Sequence, residues 1–189
     1  MKSVAVFCGS NFGNDAAYLK LTHQLARVIV QNNLRLIYGG GALGLMGAIA
    51  DKVLELGGEV IGILPQKLAD VEIGHKNLTE LRVVASMHER KALMADLADC
   101  FIALPGGIGT LEEIIEVFTW TQLGLHAKPC GLLNVNGFYD KLYDFITGMA
   151  ESGFLNDHHF KSLVFENDPE ILLNTLMNQK ITYRPKWIK

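Results

Sequence analysis

Along its whole length the chain alternates short, β-branched apolar runs with stretches of helical periodicity, and that alternation confines it to a parallel sheet covered by helices. The apolar runs are residues 3–8, 35–38, 59–64, 81–85, 100–104, 130–135 and 163–166, several of them too continuously apolar to leave a face in water. Between them Leu21, Leu25, Val28 and Ile29 recur at helical spacing, as do Leu111, Ile114, Ile115 and Phe118, so each segment buries one stripe. Helices are predicted near 14–32, 44–57, 87–98, 109–123, 138–152 and 168–178. Parallel neighbours need crossovers that are nearly always right-handed. The expected fold is therefore α/β: a single-domain, Rossmann-like, doubly wound parallel sheet of about seven strands with helices on both faces. With 189 residues, 49% of them hydrophobic, one core is expected over residues 1–180, followed by a C-terminal tail, 181–189, that has no periodicity.

Charge and composition exclude several functions. Seventeen basic residues against twenty acidic ones give a net charge of −3, and like charges do not run beyond pairs such as Glu112–Glu113 and Arg90–Lys91, so no nucleic-acid partner is expected. No apolar stretch reaches the roughly 18 residues that span a bilayer, and the N-terminus lacks a signal-peptide pattern. A cytoplasmic protein without a membrane partner is expected. Cys8, Cys100 and Cys130 are far apart and each lies in or beside an apolar run, which reads as three buried thiols. His23, His75, His88, His126, His158 and His159 form no H-x-x-x-H or H-E-x-x-H spacing, so no metal site is expected.

Open α/β sheets bind ligands beyond the carboxyl ends of their strands, and three strand-to-helix junctions here are rich in glycine. They are Cys8-Gly9-Ser10-Asn11-Phe12-Gly13, then Gly39-Gly40-Gly41-Ala42-Leu43-Gly44, then Pro105-Gly106-Gly107-Ile108-Gly109-Thr110. Glycine lets backbone N–H groups approach an anion, and the following helix aims its positive end at the same place. Gly9, Ser10, Gly40 and Gly41 are thus candidates for phosphate or ribose contact, although the same glycines also serve simple tight turns. Gly39, Gly41 and Gly44 match the dinucleotide fingerprint G-x-G-x-x-G, which makes a nicotinamide-type oxidoreductase the rival reading. That fingerprint expects an acidic residue near the end of the next strand. The strand instead runs into Pro65-Gln66-Lys67, with Glu59 at its start.

Two hydroxyl–carboxylate pairs, Ser86 with Glu89 and Thr110 with Glu113, match the capping box S/T-x-x-E. For Glu89 the cap is the favoured reading. For Glu113 it is not, because a loop of three glycines presents its N–H groups to a ligand and leaves the carboxylate one turn into the helix beside it. Arg90 shares a helical face with Met87 and Met94, which points it towards a bound ring, a surface salt bridge being the alternative.

These strings carry a resemblance. Gly39-Gly40-Gly41 with Gly44-Leu45-Met46-Gly47, Met87-His88-Glu89-Arg90-Lys91, Pro105-Gly106-Gly107-Ile108-Gly109-Thr110-Leu111-Glu112-Glu113, Thr119-Trp120-Thr121-Gln122-Leu123-Gly124 and Lys128-Pro129-x-Gly131-Leu132-Leu133-Asn134-Val135 together resemble the LOG (Lonely Guy) family of cytokinin riboside 5′-monophosphate phosphoribohydrolases. The resemblance covers most of residues 4–155 and implies a hydrolase that releases a free base and ribose 5-phosphate from a nucleoside 5′-monophosphate, with no cofactor. It implies Arg90 and Glu113 as the catalytic pair. It implies substrate contacts at Glu72, Arg90, Lys91, Gly107, Ile108, Gly109, Thr110, Leu111, Glu112, Glu113 and Thr119, and a homodimer. Glu72 aligns only through the dipeptide Glu-Ile. Family members are often labelled lysine decarboxylases, yet a chain this short has no room for the second domain such enzymes usually carry. The chemistry agrees with hydrolysis, since breaking a ribosyl bond builds positive charge on the sugar that a carboxylate at Glu113 stabilises, while Arg90 holds ribose or phosphate. A non-catalytic nucleotide-binding or carrier protein on the same glycine cradles is the remaining alternative.

Overall fold

The computed structural model describes residues 1–70 and 74–182. Among them, seven strands form one sheet: β1 (Ser3–Phe7), β2 (Arg35–Tyr38), β3 (Val60–Pro65), β4 (Glu80–Val84), β5 (Cys100–Ala103), β6 (Cys130–Leu133) and β7 (Leu163–Glu166). The order is β4-β3-β2-β1-β5-β6-β7 and every pair is parallel. The helices among the described residues are α1 (Ala16–Gln31), α2 (Gly44–Glu55), α3 (Gln66–Ala69), α4 (Met87–Leu97), α5 (Ile108–Gln122), α6 (Asp140–Glu151), α7 (Asp157–Phe160) and α8 (Pro169–Asn178).

Strand periodicity splits the core in two. In β1, Val4 and Val6 face a layer built with Leu25, Ile29, Ile49, Val53 and Leu172 of α1, α2 and α8. Ala5 and Phe7 face Met94, Ile114, Val117 and Ile146 of α4, α5 and α6. The doubly wound expectation therefore holds, with helices on both faces. Because strand order reverses direction between β1 and β5, the loops that leave these two strands diverge to opposite faces and open a crevice between them.

The differences from the sequence reading have local causes. Asp15 caps α1 by accepting from Ala17 N at 2.8 Å, so the helix starts at Ala16 rather than 14. β6 stops at Leu133 because a 3₁₀ turn, Val135–Gly137, takes over. The helices α3 and α7 have four residues each, too few to show periodicity. β4 is an edge strand, and its Leu81 and Val83 are exposed rather than covered on both faces. Of the tail, Ile181 and Thr182 carry no regular structure, and 183–189 lie outside the described residues.

Candidate active site

All three glycine junctions meet at the carboxyl edge of the sheet. Gly44, with φ 58, lies against the backbone of Ser10 and Asn11, where a Cβ would overlap it. Gly9 N donates to Pro105 O at 3.1 Å, and Gly106 packs beneath Gly9. The first and third loops thereby enclose a cavity of about 200 Å³ at the β1/β5 reversal, lined by Gly9, Ser10, Asn11, Phe12, Gly13, Tyr18, Leu45, Pro105, Gly106, Gly107 and Phe138. No side chain caps the start of α5 at Gly107, which leaves the first N–H groups of that helix for a ligand.

The second loop is put to another use. Gly40 O accepts from His75 N at 2.9 Å, Gly41 bridges Gly74, and the space beside Gly39 is filled by the guanidinium of Arg90. Gly40 and Gly41 do not line the cavity. The acidic residue that a dinucleotide site needs is absent from the end of β3, since Glu59 sits at the opposite end in an ion pair with Arg35 at 2.8 Å.

Arg90 spans the edge from β3 to α5. Its Nε donates to Ile63 O at 3.1 Å, its Nη1 donates to Glu113 Oε1 at 2.5 Å, and the same Nη1 lies 3.5 Å from Met87 Sδ. The Arg90 and Glu113 side chains are only 11% and 12% exposed, so the pair is not a surface salt bridge. Burial pushes the Glu113 carboxyl above the ordinary carboxylate range, and the Arg90 charge partly opposes it. Thr110 does not begin the helix: it lies in the first turn with its side chain against Gly106, and the Glu113 carboxylate goes to Arg90 rather than back to a cap. The other pair does cap its helix, with the carboxylate reaching one residue beyond the N-cap. Ser86 Oγ accepts from Glu89 N at 3.1 Å, while Glu89 Oε2 accepts from Ala85 N at 3.0 Å.

Lys91 turns to the adjoining carboxylates of α5, donating to Glu112 Oε1 at 2.5 Å and Glu116 Oε1 at 3.1 Å. Burial pulls its ammonium down, but these two bonds outweigh that and hold it above its ordinary value. Thr119 is exposed, donates to Ile115 O at 2.7 Å, and lines a separate groove of about 470 Å³ with Ile108, Leu111, Glu112, Phe145 and Phe154. Glu72 lies outside the described residues. The three cysteines are free and buried, and burial pushes Cys100 and Cys130 up to about 12.

Several participants escaped the sequence reading. Tyr18 and Phe138 wall the cavity, and Ile63 supplies a main-chain acceptor to Arg90. The one available signal for Phe138 was the turn-forming run Asn134-Val135-Asn136-Gly137 before it. Phe118 belongs to the core, and the open apolar face beside α5 and α6 is formed by Ile108, Phe145 and Phe154, at 82%, 65% and 84% exposure. Among the described residues no helix is long and apolar enough to cross a membrane, and no group of His, Cys, Asp and Glu could hold a metal ion.

Comparison with known proteins adds to this geometry. The sequence family described as "Possible lysine decarboxylase" matches residues 46–176. A cytokinin riboside 5′-monophosphate phosphoribohydrolase of Arabidopsis thaliana is 48% identical over 172 residues, covering 90% of this chain and 81% of the relative. One from Rhodococcoides fascians is 51% identical over 155 residues, covering 82% and 78%. Among solved structures, the molybdenum cofactor binding protein of Rippkaea orientalis shares the fold with a TM-score of 0.67 at 22% identity, over 90% of this chain and 92% of that one.

Proposed function

The chain belongs to the LOG family of cytokinin riboside 5′-monophosphate phosphoribohydrolases, and we propose that it hydrolyses the N-glycosidic bond of adenosine 5′-monophosphates, plain or N6-substituted, to the free base and ribose 5-phosphate. The observation that carries this reading is the buried Arg90–Glu113 pair at the sheet edge, beside loops whose backbone N–H groups suit a phosphate. In the reaction the C1′–N bond breaks and its electron pair leaves with the base. Water adds its oxygen to C1′ as hydroxyl, and its proton ends on the base. Positive charge builds on the sugar as the bond breaks, and the Glu113 carboxylate both stabilises that charge and orients the water. Arg90 holds the ribose and fixes the carboxylate's direction with a planar fork that lysine cannot copy.

The remaining assignments follow the resemblance, except that Gly9 and Ser10 follow from the glycine-rich loop they belong to. Gly9 and Ser10 take the 5′-phosphate together with Gly107, Ile108, Gly109 and Thr110. Leu111, Glu112, Lys91, Thr119 and Glu72 contact the rest of the nucleotide, whereas Gly40 and Gly41, set apart from the cavity, are given no phosphate or ribose contact. A homodimer is supported by the apolar groove of α5 and α6, whose exposed Phe145 and Phe154 suit a symmetric partner surface. A cytoplasmic setting suits three free thiols. The decarboxylase description fits poorly: Lys91, the buried lysine among the described residues, is held as an ammonium by two carboxylates, whereas a Schiff-base lysine must reach the neutral amine.

The test is a panel of nucleoside 5′-monophosphates, with and without N6-isopentenyl substitution, incubated with wild type and Glu113→Gln and read by chromatography for free base. Wild type should release base, and the variant should do so about 10²- to 10⁴-fold more slowly. Binding without base release by wild type would replace the enzyme with a nucleotide carrier.

A further inference from the structure

The turn between β6 and α6 fastens both loops that enclose the cavity, and the reaction above makes no use of it. Tyr139 is buried and its hydroxyl donates to Leu104 O at 2.7 Å. Leu104 is the residue before Pro105, and its N–H already donates to Phe7 O at 2.9 Å. The tyrosine is itself anchored, since Tyr139 N donates to Asn134 Oδ1 at 2.7 Å. Earlier in the turn Asn136, with φ 49, donates its side-chain amide to Asp15 Oδ2 at 2.9 Å, across to the end of the first glycine loop. Phe138 packs edge-on against Tyr18 at 5.7 Å, and the Tyr18 ring covers Gly13.

We propose that Tyr139 is a positioning residue for this reaction, its hydroxyl fixing the Leu104 carbonyl and through it the Pro105–Gly107 backbone that takes the sugar phosphate. The inference rests on the function proposed above. The loop it acts on has few other restraints. Proline brings no N–H, and the two glycines bring no side chains and the widest backbone freedom. The main-chain bond from Gly9 N to Pro105 O holds one side of the loop, and the Leu104–Tyr139 bond holds its entry from the other. A glycine loop that a ligand must order loses affinity to that ordering, so a bond that orders it beforehand strengthens binding. Because the hydroxyl bonds to the loop's entry and not to Glu113, the effect falls on the phosphate end of the ligand rather than on the base.

The experiment uses the full chain and the nucleoside 5′-monophosphate that wild type cleaves fastest, with ribose 5-phosphate and the free base as competing products. In Tyr139→Phe the KM and the inhibition constant of ribose 5-phosphate should rise together, by roughly three- to tenfold. The inhibition constant of the free base and kcat should stay within about twofold, the uncertainty of one weak contact. An unchanged constant for ribose 5-phosphate, or a parallel change in all four constants, overturns the assignment. Wild type that neither cleaves a nucleotide nor binds ribose 5-phosphate overturns the proposed function and this inference with it. Ribose 5-phosphate binding equal in wild type and variant overturns this inference alone. Should Tyr139→Phe not fold, Asn134→Ala loosens the same tyrosine with its hydroxyl intact and should shift the two phosphate-dependent constants in the same direction; equality with wild type there counts against the proposal.

Discussion

The Arg90 guanidinium occupies the place that a side chain on Gly39 would need, so that a Cβ there would overlap Nη2. Gly39 does not have a positive φ, and it is the arginine rather than the turn that requires glycine at this position. Gly39→Ala should fold with a stability loss of about 1–4 kcal/mol, because the displaced guanidinium leaves a buried carboxylate partner. Its kcat/KM should fall at least about tenfold, the consequence of moving Arg90 off Glu113. Steady-state kinetics beside a urea melt checks both, and full activity would show that the seat of Arg90 does not matter.

The pH profile should report Glu113. If the ionised carboxylate is the working form, kcat/KM drops as pH falls, with a midpoint above the ordinary carboxylate range because the group is buried. Arg90→Met removes the opposing charge and should move Glu113's titration further up, which a pH titration followed by ¹³C NMR of the carboxyl would show. The stability sign is fixed as well. Glu113 binds its proton more tightly folded than unfolded, so its contribution is most favourable below the unfolded value and is lost as pH rises towards the folded one. Glu113→Gln should lack that decline, and unfolding curves over this range for both proteins test it.

Neighbouring glycines should respond in opposite ways. A Cβ on Gly106 would collide with Thr110 and approach Gly9 N at 2.9 Å, whereas one on Gly107 meets nothing within 4 Å. Gly106→Ala should therefore lower stability by about 1–3 kcal/mol. Gly107→Ala should stay within about 0.5 kcal/mol of wild type yet raise KM at least about tenfold, because the proposed function puts the ligand's phosphate in the space it enters. Normal KM in folded Gly107→Ala would place the phosphate elsewhere.

Lys91 should matter to the fold through Glu116 more than through Glu112. The Glu112 side chain is 51% exposed and its ion pair is screened by water, whereas Glu116 is 26% exposed and its Oε2 is buried without a hydrogen-bond partner among the described residues. Lys91→Met should destabilise by about 2–4 kcal/mol, and adding Glu116→Gln should restore about half of that. A double-mutant cycle by denaturant unfolding measures the coupling, and strict additivity would show that none exists.

Much of this was legible in the chain. Alternating periodicities predict the seven parallel strands, glycine chemistry predicts three turns at one edge, and the family resemblance pairs Arg90 with Glu113, which meet there. What local spacing cannot express is which turn stays open. The Gly39–Gly44 fingerprint looks as much like a cradle as the other two, yet the chain's own arginine fills its space, a fact set by residues more than forty positions away in sequence. The same limit hid the β6–α6 turn, because Asn136 meets Asp15 across 121 residues. Edge exposure at Leu81 and Val83 was hidden too, since an outer strand and an inner one share one apolar pattern when only one face differs.

The reversal of strand order between β2-β1 and β5 also governs when the molecule becomes competent. β1 is the first strand of the chain and β5 the fifth, and their pairing joins distant segments, as the Ser3–Asp99 contact at a separation of 96 residues shows. Loops that long close slowly, because their entropy is lost before the pairing returns anything. The cavity between Gly9 and Pro105 cannot exist before that closure. A chain that holds only α1, α2 and the three paired strands β1, β2 and β3 thus still has no place for a nucleotide, so ligand binding reports that β1 and β5 have paired.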